Sequence, residues 1–139
     1  MDRLQDRFSK LLQEVSTDFH RYMYHQINWN NRMIGLTGPR GVGKTMLILQ
    51  YLKENLPREN SLYVTAEDFY FVEHRLLDLA DLFVKQGGKH LFIDEIHYQN
   101  FLSFPILRDN WLIFIDFSLI QFGLFMDSFV RKEAPCLQA

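Results

Sequence analysis

The stretch GPRGVGKT, residues 38–45, decides how the rest of the chain is interpreted. It matches the phosphate-binding pattern G-x-x-x-x-G-K-[ST], whose glycines let a loop curl until successive backbone N–H groups point at a phosphate. The apolar run MIGLT, residues 33–37, comes directly before it, and a helical pattern begins at Lys44. A strand, a glycine-rich loop and a helix in this order are typical of a nucleotide-binding loop. The alternative is a glycine-rich turn with an incidental lysine.

The loop and the start of its helix supply the candidate nucleotide contacts. The free N–H groups at the helix N-terminus and its positive dipole end favour an anion. Lys44 is expected to place its ammonium on the β- and γ-phosphates, and the Thr45 hydroxyl is a hard oxygen ligand for Mg²⁺. The predicted nucleotide-binding residues are Gly38, Pro39, Arg40, Gly41, Val42, Gly43, Lys44, Thr45 and Met46.

A second candidate element, HLFIDE, ends an apolar run at Asp94 and Glu95. In a parallel sheet the carboxyl ends of the strands share one edge, so this acidic pair is expected beside the glycine-rich loop. Asp94 is predicted to hold Mg²⁺, often through water, and Glu95 to polarise the attacking water, so Lys44 and Glu95 are the candidate catalytic residues. His97 would either reach the γ-phosphate region or pack or face solvent. The alternative for the acidic pair is a surface turn.

The order of apolar patterns predicts an α/β fold. An amphipathic helix is expected at the N-terminus, and strands then alternate with helices, which implies a parallel sheet flanked by helices. The last internal helix is expected to start near Asp68 and to end at Gly87 and Gly88. The predicted segments are helices at 3–25, 44–56 and 67–88, strands at 33–37, 61–66 and 89–95, and a fourth strand in WLIFI, residues 111–115.

The residues RMIGLTGPRGVGKT and LFIDEIH together resemble the AAA+ P-loop ATPases. The likeness is to a family of prokaryotic predicted ATPases with GPRGVGKT as the Walker A motif and DEIH in the Walker B motif, and it covers about residues 28–98. It implies a partial P-loop NTPase three-layer fold, ATP and Mg²⁺ as cofactors, and Mg²⁺-dependent ATP hydrolysis as the ancestral activity. The resemblance assigns nucleotide contacts to Gly38, Gly43, Lys44 and Thr45, the metal to Asp94 and the water to Glu95.

The chain departs from that family at three places. Met46 stands where the family usually has a Thr or Ser that can contact a phosphate. Asp116, Phe117 and Ser118 stand where the family's next strand ends in a small polar cluster that senses the γ-phosphate. The tail around Arg131 matches nothing familiar, so the fifth strand, arginine finger and lid of a full domain are expected to be missing.

These departures lead to an expected domain division. Residues 1–30 would form the N-terminal helix and lead-in, and residues 31–139 an incomplete P-loop ATPase domain that is atypical over 101–139. The abrupt change to Phe-rich sequence after about residue 98 favours a truncated or frame-altered copy of a longer ATPase.

Composition excludes several other classes of protein. The chain has 139 residues, a net charge of −2 and one cysteine, Cys136, so one globular domain without an internal disulfide is expected. The charged N-terminus is unlike a secretory signal, which favours a cytoplasmic location. The apolar stretch 111–130 carries Asp116 and Asp127, each of which would cost roughly 2.5–3.5 kcal/mol near a bilayer centre, so no membrane span is expected.

The expected partners follow from the same features. ATP is the expected ligand, a protein partner or a second copy of the chain is a further expectation, and the slightly acidic balance disfavours nucleic acid. The main alternative function is a non-hydrolysing nucleotide-binding remnant that acts as an interaction module through its amphipathic helix. A helicase fragment is a lesser alternative, because a helicase would need a second core domain and a basic channel, which the length and the acidic balance disfavour. A small-molecule kinase would need an acceptor pocket and lid arginines, and the sequence shows no sign of them.

Overall fold

The computed structural model describes residues 1–31, 33–96, 112–117 and 136–138. A short 3₁₀ turn, Arg58–Asn60, precedes the second strand. The helices are α1 (Asp2–Glu14), α2 (Tyr22–Gln26), α3 (Lys44–Asn55), α4 (Tyr70–Glu73) and α5 (Leu76–Lys85), and the strands are β1 (Met33–Thr37), β2 (Ser61–Thr65), β3 (His90–Asp94), β4 (Leu112–Phe117) and β5 (Cys136–Gln138).

The described strands form one sheet in the order β2-β3-β4-β1-β5, and every pair is parallel. The predicted α/β fold with a parallel sheet is therefore confirmed. The chain passes from β1 through α3 to β2 at the far edge, and then returns through α5 to β3. Because such connections are nearly always right-handed, two connections that run in opposite directions place α3 and α5 on opposite faces of the sheet.

The core of the sheet confirms this two-sided cover. Leu91, Phe92 and Ile93 are consecutive in β3, and all three are completely buried. Consecutive residues of a strand point to opposite faces, so both faces of β3 are covered. This explains why β3 appears in the sequence as a continuous apolar run without alternation.

The fourth predicted strand is confirmed, since WLIFI contributes most of β4. β4 lies between β1 and β3, so it separates the strand that leads into residues 38–45 from the strand that ends in Asp94. The expectation that the chain lacks a fifth strand is wrong. The tail contributes β5, in which Cys136 pairs with Gly35 and Gln138 with Thr37. A three-residue strand leaves too short an apolar pattern to detect in sequence.

The single N-terminal helix predicted for residues 3–25 is wrong, because the chain leaves the helix after Glu14 and returns to it at Tyr22. Ser16 donates its hydroxyl to Asp18 Oδ2 at 2.8 Å, and the Asp18 N–H donates to Ser16 Oγ at 3.2 Å. Such local side-chain bonds compete with helical bonding. The amphipathic part of the prediction holds for α1, whose buried Leu4, Phe8 and Leu12 lie on a helix that packs against β2 and α3.

The helix predicted for residues 67–88 is also divided in two, because the backbone at His74 is extended. The His74 ring bonds to the Tyr70 carbonyl at 3.0 Å and stacks on the Tyr70 ring, which ends α4 after one turn. The predicted ends are confirmed. Asp68 Oδ1 accepts the Tyr70 N–H at 2.9 Å, and Gly87 and Gly88 close α5 with N–H bonds to the Val84 and Phe83 carbonyls at 2.8 and 2.9 Å.

Candidate functional site

The loop at residues 38–45 has the backbone geometry that its glycines were predicted to provide. Gly41 and Gly43 adopt positive φ angles of 83° and 87°, a region that other residues enter only with strain. α3 begins at Lys44, directly after Gly43, as the sequence predicts. The loop therefore leads from the carboxyl end of β1 into the N-terminus of α3, and the positive dipole end of a helix favours an anion.

The Lys44 ammonium lies inside the curl of this loop. Its Nζ donates to the Gly38 carbonyl at 2.9 Å and to the Pro39 carbonyl at 3.0 Å, and the residue is only 8% exposed. These bonds compensate a buried charge that would otherwise be costly. The positive charge is thereby held at the centre of the candidate phosphate site.

The predicted acidic residue lies directly beside the loop. Asp94 is 3% exposed, and its Oδ2 accepts the Thr45 hydroxyl at 2.6 Å. The same oxygen accepts the Tyr63 hydroxyl at 2.5 Å, while Oδ1 accepts the Glu95 N–H at 2.9 Å. Three donors thus hold the carboxylate in one orientation, next to the start of α3.

Tyr63 is a residue of this cluster that the sequence analysis missed. It pairs with Phe92 on the neighbouring strand, and Phe92 and Asp94 share a face because they are two residues apart. A long aromatic side chain on that face can reach the next position along the partner strand. The pairing of β2 with β3 would have revealed it, but pairing is not readable from one sequence.

Glu95 follows β3 with an unusual backbone. Its φ is 51°, and among the described residues it is the one non-glycine residue with a positive φ. Conformations of this kind cost of order 1–3 kcal/mol and cluster at functional sites. This backbone conformation lies directly after Asp94, at the edge where Thr45 and Asp94 meet.

The remaining candidates are distributed around this centre. Met46 is 45% exposed, and Pro39, Arg40 and Gly41 are exposed on the outer side of the loop. His97, Ser118 and Arg131 lie outside the described residues. In β4, Asp116 pairs with Leu36 and Phe117 with Thr37, which places both at the strand end beside the loop, as predicted.

A pocket of about 400 Å³ adjoins the loop, and the sequence analysis missed it. This volume is within the range of small-molecule sites. The loop and α3 contribute one wall, and the segment before β1 contributes the other. The residues that matter below are Val42, Gly43 and Leu47 on the first wall and Phe19, Arg21 and Tyr22 on the second. A single amphipathic helix over residues 3–25 would place Phe19 and Tyr22 at the helical spacing of its apolar side, yet they are 74% and 77% exposed.

Side chains of α3 fix that second wall. The buried Gln50 amide donates to the carbonyls of Ser16 and Phe19, both at 2.8 Å. Further along, the Trp29 ring stacks on the Tyr51 ring with centroids 3.7 Å apart. The backbone carbonyls released by the helix break are thus satisfied by the helix that begins at the loop.

A polar cluster at the end of α3 continues this attachment. Glu54 Oε2 accepts the Tyr24 hydroxyl at 2.8 Å and bonds to His20 Nε2 at 2.9 Å. Burial, followed by the hydrogen bond to Glu54, raises the pKa of Tyr24 to about 12, so its hydroxyl remains a donor at neutral pH.

The donor set at the loop fits Mg²⁺. Thr45 and Asp94 offer a hydroxyl and a carboxylate, which are the hard oxygen ligands that Mg²⁺ prefers. Among the described residues, no three His, Cys, Asp or Glu side chains converge as a protein cage for a metal.

The fold and the site define a P-loop nucleotide-binding protein: a parallel sheet, a glycine loop after its first strand, and a buried acidic residue at the same edge. The family model described as AAA domain matches residues 30–116, more than half of the chain. The chain therefore belongs to this family of AAA+ P-loop ATPases, for which nucleotide binding and an ATPase-type function are general. The match continues past residue 98, where the sequence was expected to depart, as far as Asp116 in β4.

Two other comparisons complete this result. The solved structure of PCH-2 from C. elegans is similar, with 21% sequence identity and a TM-score of 0.49. The similarity covers 97% of this chain but only 40% of that one, so the chain spans less than half the length of this relative. The search of curated proteins finds no match.

The membrane prediction is tested only in part. Within the described ranges, no helix has both the length and the apolar character that a bilayer crossing requires. Most of the apolar stretch 111–130 lies outside those ranges.

Proposed function

We propose that the chain binds ATP and hydrolyses it with Mg²⁺. The observation that carries the proposal is the 2.6 Å hydrogen bond from Thr45 Oγ1 to Asp94 Oδ2, beside the buried Lys44. It brings a hydroxyl from the loop and a carboxylate from β3 to one point at the mouth of the phosphate cradle. Neither oxygen would need to move far to share a metal ion.

Phosphate binding in this proposal uses groups that already converge. The loop amides and the α3 N-terminus surround the α- and β-phosphates. Lys44 exchanges its bonds to the Gly38 and Pro39 carbonyls for bonds to the β- and γ-phosphates. The exchange retains hydrogen bonds for a buried ammonium, so the charge is satisfied both with and without a nucleotide.

Thr45 and Asp94 are the proposed Mg²⁺ ligands, Asp94 directly or through water. When bound, Mg²⁺ would neutralise charge that develops on the phosphate oxygens. Tyr63 and the Glu95 N–H would keep the Asp94 carboxylate oriented, since they donate to its two different oxygens. This arrangement prepares the site before the nucleotide arrives.

Glu95 is the proposed residue that orients the attacking water and accepts its proton. It follows Asp94 directly, so its carboxylate emerges at the same sheet edge as the metal ligands. Phosphoryl transfer to water depends mainly on such positioning and on charge stabilisation. An arginine that stabilises the transition state contributes roughly 10³–10⁵-fold in related reactions, so slow turnover is expected without one.

A second candidate is nucleotide binding without turnover. It is favoured by the register of β4, which places Asp116 and Phe117 beside the end of β1 where the loop begins. An acidic residue at this strand end would oppose a negative ligand if its carboxylate reached the γ-phosphate without being protonated or metal-bound. The chain would then act through its nucleotide-bound conformation.

Two substitutions distinguish ATP binding from ATP hydrolysis. Titration calorimetry with MgATP and steady-state phosphate release are measured for the wild type, Lys44→Ala and Glu95→Gln, with the exposed Lys85→Ala on α5 as the matched control. We expect Lys44→Ala to weaken MgATP binding by roughly a hundredfold or more, because it removes charge-assisted bonds from a buried site. Glu95→Gln should bind like the wild type but release no phosphate above background.

The outcomes divide the two candidates. If the wild type and Glu95→Gln release phosphate at the same rate, Glu95 is not the residue that orients the attacking water. Binding without release in any variant would favour the second candidate. Absence of MgATP binding to the wild type would reject both.

A further inference from the structure

Arg21 lies against the last glycine of the phosphate-binding loop, although the two residues are far apart in sequence. A Cβ atom placed on Gly43 would be 2.7 Å from Arg21 Nε and 3.1 Å from Arg21 Cζ. The guanidinium therefore touches the backbone directly before Lys44. Among the described residues of the second pocket wall, no other brings a permanent positive charge to this position.

The position of Arg21 follows from how the chain reaches it. Arg21 has extended backbone angles and precedes the short α2. The residues before it are bound to α3, since Lys53 Nζ donates to the Val15 carbonyl at 2.5 Å and Gln50 donates to the Ser16 and Phe19 carbonyls. Because α3 is also the helix that starts at Lys44, Arg21 and the loop are positioned by one rigid element.

The charge of Arg21 faces the pocket. The described ion pairs join Arg7 to Asp68, His20 to Glu54 and Arg75 to Asp78, and within the described part of the chain no carboxylate pairs with Arg21. A guanidinium offers several N–H donors in a planar fork that suits phosphate oxygens. The chemistry of the site therefore calls for an anion between Arg21 and the loop.

The surroundings indicate which anion. On the loop side, backbone N–H groups and Lys44 suit the phosphates. On the other side, Phe19, Tyr22 and Leu47 offer apolar surface suited to a base or sugar face. Arg21 lines the same pocket and its guanidinium lies against Gly43 of the loop, so it can reach a phosphate bound there.

We propose that Arg21 binds the α-phosphate of the nucleotide and so supplies, from the segment before β1, a phosphate contact that does not belong to the P-loop motif. The inference rests on the proposed nucleotide binding and deepens it. It also accounts for Met46, which lacks the hydroxyl that the family usually has after Thr45. In this chain the Arg21 guanidinium supplies a hydrogen-bond donor in place of that hydroxyl.

A consequence is that nucleotide binding stabilises the position of residues 15–21. A ligand that contacts both walls of the pocket favours the conformation in which the walls are close. The N-terminal segment would thereby report whether the loop is occupied.

The test compares Arg21→Met with Arg58→Met, an exposed arginine before β2 at the opposite end of the strands. Methionine keeps much of the unbranched stem of Arg21 but removes the charged guanidinium that lies against Gly43. Titration calorimetry with MgADP and with MgATP is expected to show Kd raised roughly tenfold or more for Arg21→Met, by a similar factor for both ligands. Arg58→Met should bind as the wild type does.

Other results would overturn the inference. Unchanged affinity of Arg21→Met for both nucleotides would exclude the contact, and a loss confined to MgATP would move it to the γ-phosphate. If the wild type binds neither nucleotide, the proposed function itself fails, which is a different result. A thermal melt without nucleotide checks that Arg21→Met is folded. If its melting temperature is well below that of the wild type, the same binding measurements are made on Arg21→Gln instead.

Discussion

The P-loop and the segment before β1 form the two walls of one pocket, but they are specified in different ways. The loop takes its shape from its own residues, since Gly41 and Gly43 occupy conformations that few other residues tolerate. Residues 15–21 take theirs from α3, through Gln50 and Lys53. A local pattern therefore reveals the first wall, whereas the second exists only after the chain has folded.

Among the substitutions that compare the two walls, the largest expected effect tests whether the walls touch. Gly43→Ala and Gly41→Ala both place a Cβ on a backbone with φ above 80°, which costs roughly 1–2 kcal/mol each. At Gly41 nothing lies within 4 Å of the new atom, while at Gly43 it meets the Arg21 guanidinium. We expect Gly41→Ala to weaken MgADP binding roughly tenfold and Gly43→Ala roughly a hundredfold, because only the second displaces Arg21.

Calorimetric Kd values for the two variants decide this point. Equal losses of MgADP affinity would mean that backbone strain alone weakens binding and that displacement of Arg21 has no effect on it. The double variant with Arg21→Ala provides a further check. If displacement of Arg21 causes the difference, Gly43→Ala should add no more than Gly41→Ala does once Arg21 has been removed.

The residues that were predictable from sequence share a physical reason. Lys44 and Thr45 follow glycines in a fixed pattern, and Asp94 ends an apolar run, so the chemistry of each is visible in its neighbours along the chain. The parallel sheet was predictable because its strands are apolar runs separated by helical patterns. In both cases the information is local, and the structure confirms the positions of these elements.

The features that were missed depend on contacts between distant segments. The break after Glu14 is completed by α3, the role of Tyr63 depends on the pairing of β2 with β3, and the location of Arg21 depends on both the break and the loop. β5 was missed because three residues are too few for a pattern. Helix periodicity through Phe19 and Tyr22 was misleading, since exposed aromatic residues at a pocket rim produce the same spacing as a packed face.

The second prediction tests how the N-terminal wall is held. Gln50→Ala removes the amide that donates to the Ser16 and Phe19 carbonyls, and Gln13→Ala on the exposed side of α1 is its control. We expect the free energy of unfolding to fall by roughly 1–3 kcal/mol for Gln50→Ala, because two carbonyls lose their partner, and to change little for Gln13→Ala. Urea denaturation measures both values.

Binding measurements give the same variant a second readout. If Gln50 acts on the site only by positioning Arg21, Gln50→Ala should weaken MgADP binding by no more than Arg21→Met does. Combining the two substitutions should then add little further loss. A larger loss would show that the segment carries nucleotide contacts beyond Arg21.

The smallest expected effect concerns an attachment of α1 that lies apart from the P-loop. Asp68 is buried after β2 and forms an ion pair with Arg7 of α1. Burial alone would raise the pKa of Asp68, but the Tyr70 N–H and Arg7 outweigh it and hold the pKa below the ordinary value of 3.8. Near pH 3.8 the folded state therefore binds fewer protons than the unfolded state. The contribution of Asp68 to stability is complete above pH 3.8, and it is lost as the pH falls through the lower pKa that Asp68 has in the folded state.

Asp68→Asn should accordingly be less stable than the wild type at pH 7, with a difference that narrows as the pH falls below about 4. Asp78→Asn is the matched control, because Asp78 pairs with Arg75 at 3.5 Å in an exposed position where ion pairs contribute little. Urea midpoints from pH 7 to pH 3 measure the effect. A difference between wild type and Asp68→Asn that stays constant over this range would show that the loss comes from altered packing or hydrogen-bond geometry around residue 68, and not from the charge of Asp68.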